Sequence, residues 1–267
     1  MSEHVYKGNQ FEQAISTKHL ATRLELNKKY SSTNFDAWLM ARLDPGPGYD
    51  VLDVGCGTGA QTLPLLKAVG ERGSVSSLDI SPESVATLRR QAGTAANLDA
   101  VAADMATLQH CINHSFRVKK YDLVHSSYAL YYSPRRLEVL SVMRDALKPN
   151  GRLAVFTPNR PHGMVDFARQ FHPIAAEIDE SLAFGPSVLE PFFRANFWDV
   201  AVHFFHNRVR VDNAEDFMTF YRATTYYVPD AEPGIRERVA NTLRKDGHFE
   251  YEKNGYLILG SQRLAGQ

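Results

Sequence analysis

The chain has 267 residues, with 30 Lys and Arg against 30 Asp and Glu, 44% hydrophobic residues and two cysteines. That length suits one large α/β domain, or one domain with an added cap, and the even charge argues against a nucleic-acid binder or a polybasic membrane-surface protein. No apolar run reaches about eighteen residues, Met1 to Leu20 lacks the apolar core of a secretory signal, and two thiols build neither a disulfide framework nor a four-thiolate zinc site, so a cytoplasmic globule is the expectation.

From Phe11 to Leu43 the pattern is helical, with Phe35, Trp38, Leu39 and Leu43 at three- and four-residue spacing. Asp44-Pro45-Gly46-Pro47-Gly48 breaks it, so residues 1–48 read as an N-terminal helical cap. Short apolar runs then alternate with helical patterns, which predicts parallel strands joined by crossover helices. The strands are expected at Asp50–Val54, Ser74–Ile80, Leu98–Ala102, Tyr121–Ser126 and Arg152–Thr157. A helix over Arg135–Leu147 precedes the fifth, and Lys148-Pro149-Asn150-Gly151 reads as its stop and a turn. Residues 49–158 therefore form the expected core. After Pro158 periodicity weakens. A β-type run returns at Trp198–Val211, helical patterns cover Asp212–Tyr227 and Ile235–Leu243, and Tyr256–Gly260 closes as a strand. Residues 159–267 thus read as a lid insert plus strands completing the same domain, with the last two strands as an antiparallel edge.

The most informative stretch is Val51-Leu52-Asp53-Val54-Gly55-Cys56-Gly57-Thr58-Gly59. An apolar strand runs into three alternating glycines, and an apolar helix pattern follows. Glycines permit positive φ and close backbone approach to a ligand, and the helix N-terminus beyond them suits an anionic group. The dinucleotide fingerprint is Gly-x-Gly-x-x-Gly; here the third glycine comes one residue early. Asp53 lies inside the strand, Asp79 ends the second strand and Asp104 follows the third. An acid in the place of Asp79 accepts from both ribose hydroxyls. A structural strand-to-helix turn explains the glycines alone, but not three acids after three successive strands.

This set of motifs resembles the class I S-adenosylmethionine-dependent methyltransferases. The matching pieces are Asp53–Gly59, Leu78-Asp79-Ile80-Ser81, Ala103-Asp104-Met105, Tyr121-Asp122-Leu123-Val124-His125 and Leu147–Leu153. The resemblance implies a Rossmann-like, doubly wound α/β fold with a seven-stranded sheet whose last strand is antiparallel. It implies S-adenosyl-L-methionine as cofactor, with Gly55, Cys56, Gly57 and Gly59 beneath its methionine and ribose parts. By the same carry-over Asp53 supports the methionine amino group, Asp79 the ribose diol and Ile80 the adenine face. Asp104 accepts from the adenine amino group beside Met105, His125 presents its carbonyl near the methionine amino group, and Tyr30 reaches the methionine carboxylate.

Transfer from a sulfonium is an in-line displacement that needs proximity and a dry pocket more than a strong acid. His125 and His162, near the expected ends of the fourth and fifth strands, are the candidate bases for an O, N or C nucleophile; the alternative for each is a polar rim residue. His110 and His114 share a helical spacing around Cys111 but lack a third ligand, so no metal is expected. Aromatic residues crowd the segments outside the core. Tyr128 and Tyr131 directly after the fourth strand, with Tyr221, are pocket candidates for a small-molecule substrate, and Arg169 and Arg194 are candidates for pairing with its acidic group. The competing readings are a nicotinamide-dependent oxidoreductase, and a nucleic-acid or protein methyltransferase, which the neutral charge disfavours.

Overall fold

The computed structural model describes residues 9–261; the first eight residues of the expected cap and the last six of the C-terminal segment lie outside the described residues. The single helical pattern at the N-terminus resolves into α1 (Asn9–Ile15), α2 (Thr17–Tyr30) and α3 (Phe35–Leu43). Ser16 and Asn34 separate them: each is extended and caps the next helix, Ser16 Oγ accepting from the His19 N–H and Asn34 Oδ1 from that of Ala37.

The core alternates β1 (Asp50–Val54), α4 (Thr62–Val69), β2 (Ser74–Asp79), α5 (Pro82–Ala92), β3 (Leu98–Ala102), α6 (Leu108–His114), β4 (Tyr121–Ser127), α7 (Arg136–Asp145) and β5 (Leu147–His162). All five strands are parallel, in the order 3-2-1-4-5. The order reverses between β1 and β4, the switch point where doubly wound sheets bind ligands. β5 starts earlier than the turn chemistry predicts. Between Leu147 and Arg152 it bulges against Tyr121 and Leu123, with Asn150 at a φ of 67° taking up the extra length.

Three further helices, α8 (Gly163–Ala168), α9 (Ala176–Phe184) and α10 (Glu190–Asn196), precede strands β6 (Asp199–Phe205) and β7 (Arg208–Val211), and α11 (Ala214–Arg222) follows them. Then α12 (Glu232–Asp246) leads into β8 (Phe249–Ser261). The run at Trp198–Val211 is thus two strands, broken at His206-Asn207. Asn207 holds the break: its N–H donates to Asn254 Oδ1 and its Oδ1 accepts from the Thr33 N–H.

The closing strand is not at an edge. β8 lies between β5 and β6 and is antiparallel to both, giving the order 3-2-1-4-5-8-6, while β7 pairs with the first half of β8 as an eighth strand. Its sequence explains the interior place. Tyr256 and Ile258 join the core on one face of the sheet, and Leu257 and Leu259 the core on the other. A strand apolar on both faces belongs inside a covered sheet. The same alternation sends Leu52 and Val54 to the face covered by α6, α7, α9 and α10, and Val51 to the face covered by α3 and α4.

A separate apolar cluster lies beyond the sheet. Leu26 of α2, Met164 and Phe167 of α8, Phe217 and Tyr221 of α11, Ile235 of α12, and Phe249 and Tyr251 of β8 pack together. β5 and β8 both run past the sheet into this region, where His162 stands opposite Lys253. The crossing point is tight. A Cβ on Gly255 would lie 2.0 Å from Cζ of Phe156, whose ring is locked among Phe35, Trp38, Tyr128 and Phe205. Gly255→Ala should therefore lower stability by about 1–3 kcal/mol, the usual cost of overpacking. Phe156→Leu in the same chain should recover part of that loss, as urea unfolding of the two single variants and the double variant will read.

Candidate active site

A cavity of about 590 Å³ opens over the carboxyl ends of the parallel strands, within the size range of small-molecule sites. Its floor is the turn after β1, the ends of β2 and β3, and the loop after β4. α1 and α2 cover one side; the segment after α11, the end of β5 and β8 close the other.

The turn after β1 brings Gly55, Cys56 and Gly57 to the cavity wall. Gly55 has a φ of 83°, and a Cβ there would sit 2.2 Å from that of Ala129, so the loop after β4 crosses directly over it. Gly59 does not line the cavity: its missing side chain makes room for Leu88 of α5. The Cys56 thiol is held far above its ordinary pKa by burial and by Asp53 and Asp79, and so stays protonated and inert. Asp53 also lies behind the wall. It is buried within the sheet and accepts a 2.6 Å hydrogen bond from the Thr62 hydroxyl, tying β1 to the start of α4. Burial, with Asp79 adding to it, pushes its carboxyl up to about 7.

Asp79 ends β2 at the cavity wall. Its Oδ2 accepts from the Gly57 N–H at 2.8 Å and its Oδ1 from the Ser81 N–H at 2.9 Å. Each carboxylate oxygen keeps a second lone-pair direction, so the group is oriented by backbone and still able to accept from a diol. Ile80, Asp104 and Met105 line the same end, and Asp104 Oδ1 accepts from the Ala106 N–H.

The two candidate histidines part company. β4 runs two residues past His125, so Ser127 and Tyr128, not His125, stand at its open end. The His125 ring is wholly buried, with Nδ1 3.3 Å from the Ala154 carbonyl oxygen, and burial lowers its pKa to about 4. It lies outside the cavity and is no base for a ligand there. His162 does line the cavity. Burial first, and then Lys253, bring its pKa down to about 3, so it is a neutral hydrogen-bonding group and a poor proton acceptor. Its Nδ1 is buried with no partner among the described residues.

Tyr128 and Tyr131 line the cavity. Tyr128 has a φ of 55° and packs its ring between Phe35 and Phe156. Four other candidates lie elsewhere. Tyr30 donates to Asp216 of α11, because it sits off the face of α2 that looks inward. Arg169 is held by Asp179 at 2.6 Å and Arg194 by Glu190 at 2.8 Å, both on the exposed side of their helices. Tyr221 is fully buried in the outer cluster, its hydroxyl accepting from the Val228 N–H and bonded to His172 Nε2.

Sequence reasoning passed over two features. One is the inward stripe of α2, Leu20, Arg23, Leu24, Asn27, Lys28 and Ser31, which lines the cavity at helical spacing. The other is Lys253, a half-buried residue in β8 whose Nζ donates to Asn27 Oδ1 at 2.9 Å. Burial, and then Arg23, lower its pKa to about 7. Nothing local marked it in the sequence, because the first half of β8 also carries Glu250, Glu252 and Asn254.

Comparison with known proteins agrees with this geometry. A family model described as a methyltransferase domain matches residues 45–191, more than half of the chain. Aklanonic acid methyltransferase of Streptomyces sp. (strain C5) is 32% identical over 117 residues, covering 43% of this chain and 50% of that protein. Demethylmenaquinone methyltransferase of Shouchella clausii is 31% identical over 141 residues, 51% of this chain and 57% of that protein. The chain thus spans about half the length of these curated relatives. Protein BH2331 of Bacillus halodurans C-125 shares the fold, with a TM-score of 0.60 at 15% identity over 86% of this chain and 99% of that one.

The buried histidines set a pH dependence. His125 is neutral in the folded chain down to about pH 4, whereas the unfolded chain protonates it near 6.5. The histidine's share of the stability should fall as pH drops between those values, by up to about 1.4 kcal/mol per pH unit for each such histidine, while Asp53, which holds a proton below about pH 7 in the folded chain, contributes in the opposite sense over the same range. His162 acts in the same sense as His125. His125→Gln should remove about half of the slope due to these two residues, read from urea midpoints at pH 7 and pH 5. An unchanged slope would mean that His125 is solvated.

Proposed function

The chain belongs to the class I S-adenosylmethionine-dependent methyltransferases, and from that premise we propose that it methylates an O, N or C nucleophile of a small organic metabolite inside the cavity, with S-adenosylmethionine as donor. The observation that carries this reading is the continuity of the cavity. One chamber joins the acids at the ends of β2 and β3 to the aromatic and polar groups between β4, β8 and the helices above.

The residues present fit that cofactor. Asp79 offers the ribose diol a carboxylate already oriented by two backbone N–H groups. Ile80, Asp104 and Met105 offer an apolar and acidic flank to the adenine, and Gly55 and Gly57 bring bare backbone to the wall. When bound, S-adenosylmethionine supplies an electrophilic methyl group on a sulfonium. The chain's own part is to bind, align and exclude water. Phe11, Leu20, Tyr131 and Tyr226 supply apolar walls for the acceptor end. His162 is neutral there and orients a polar group of the acceptor by hydrogen bonding. The relatives' names, for aklanonic acid and demethylmenaquinone, support an organic small-molecule acceptor.

Two measurements test the reading. Titration calorimetry should show binding of S-adenosylhomocysteine and none of NADPH, with Asp79→Ala weakening the former by about 1.5–3 kcal/mol, roughly 10- to 150-fold. Incubation of a metabolite extract with the enzyme and methyl-deuterated cofactor should yield a small molecule heavier by one deuterated methyl group. Binding of NADPH in place of the homocysteine nucleoside would overturn the proposal.

A further inference from the structure

The two ends of the cavity differ in charge. Asp79 and Asp104 stand at the ends of β2 and β3, while Asp36 of α3 also lines the cavity, accepts from Gln61 and has Lys28 as its charged neighbour. Lys253 stands on β8, four strands from β2 in the order of the sheet, a separation of about 19 Å at the spacing of neighbouring strands. Around Lys253 the chamber is lined by Arg23 and Asn27 of α2, His162 of β5 and Tyr226 after α11. No carboxylate among the described residues lies within ion-pair distance of Arg23 or Lys253. Arg23 donates to the Ala223 carbonyl at 2.6 Å and Lys253 to the Asn27 amide oxygen, both neutral acceptors. Two cations facing one partly dry chamber without a counter-charge are costly, and the buried, unpartnered Nδ1 of His162 adds a further group awaiting a partner.

We propose that Arg23 and Lys253 form an anion subsite at the acceptor end of the cavity, and that the methyl acceptor is an organic acid (a carboxylic acid, phenol or enol) held there as its anion. The inference rests on the methyltransferase reading above and names its substrate class. The acceptor's negative charge supplies the missing counter-ion, and its ring or chain lies against the aromatic walls nearer the cofactor. Lys253 is the titrating member. The Arg23 guanidinium is a permanent cation, the His162 imidazole is uncharged above about pH 3, and the Tyr226 phenol is pushed well up by burial. With its own pKa brought down to about 7, Lys253 carries charge at pH 6 and largely loses it by pH 8.5.

The test uses the full chain saturated with S-adenosylhomocysteine, whose titration also checks that each variant is folded. Crystals soaked in bromide at pH 6 should show an anomalous peak in contact with Lys253 Nζ and Arg23. The peak should be lost in Lys253→Met and weakened in Arg23→Gln. In solution, 2-naphthoate should bind at least tenfold more tightly than the neutral 2-naphthamide. That preference should fall several-fold from pH 6 to 8.5 and in Lys253→Met, and vanish in the double variant Lys253→Met, Arg23→Gln. Absence of bromide from the pair in the wild-type protein, or a naphthoate preference unchanged in Lys253→Met or surviving in the double variant, overturns the anion subsite. Failure of the wild-type protein to bind S-adenosylhomocysteine overturns the methyltransferase reading instead, and leaves the bromide result to be judged separately.

Discussion

The antiparallel pairing of β5 with β8 is the constraint on which the rest of the molecule depends. It runs from Arg152 opposite Ser261 to His162 opposite Lys253. At one end it is sheet, buried on both faces; at the other it is a ribbon reaching into the outer apolar cluster. Because both strands continue past the sheet, the sheet and the outer apolar cluster share one support. The glycine at position 255 is the clearance that allows it, since the Phe156 ring occupies the space a side chain there would need.

Two kinds of chemistry meet over that support, and strand order keeps them apart. The acids at the ends of β2 and β3 lie on one side of the switch point. The cations and the histidine come from α2, β5 and β8 on the other. Carboxylates within reach of Lys253 would pair with it and raise its pKa; their distance leaves it at the mercy of burial and Arg23. The polarity of the cavity is therefore a consequence of topology, with the acids of β2 and β3 at one end and Arg23 and Lys253 at the other.

Signals within a few residues of one another were legible in sequence. The strand, the glycine turn and the acid after each of three strands are written locally, by side-chain period and turn chemistry, and the structure brings Gly55, Gly57, Asp79, Ile80, Asp104 and Met105 to one wall. Errors arose where a boundary decided a direction. β4 continues for two residues beyond His125, and that shift keeps the ring within the sheet. Tyr30 differs from Ser31 by one helical step of about 100°, enough to turn it from the cavity toward Asp216. Arg169 and Arg194 suit an acidic ligand by type, but each has an acidic neighbour at ion-pair distance: Glu190 stands one helical turn before Arg194 and is legible in the spacing, whereas Asp179 meets Arg169 only once α9 is placed.

The sequence by itself determined the half of the cavity that carries Asp79 and Asp104, because a strand, its turn and the following acid occupy adjacent positions whose geometry is set by local sterics. Only the tertiary structure decided the half bordered by Lys253. Lys253 meets Asn27 across 226 residues, and no periodicity links a polar stripe on an N-terminal helix to one lysine in the closing strand. That contact exists because the alternating apolar residues of β8 drive the strand into the interior of the sheet. Its polar beginning is thereby left in the roof of the cavity.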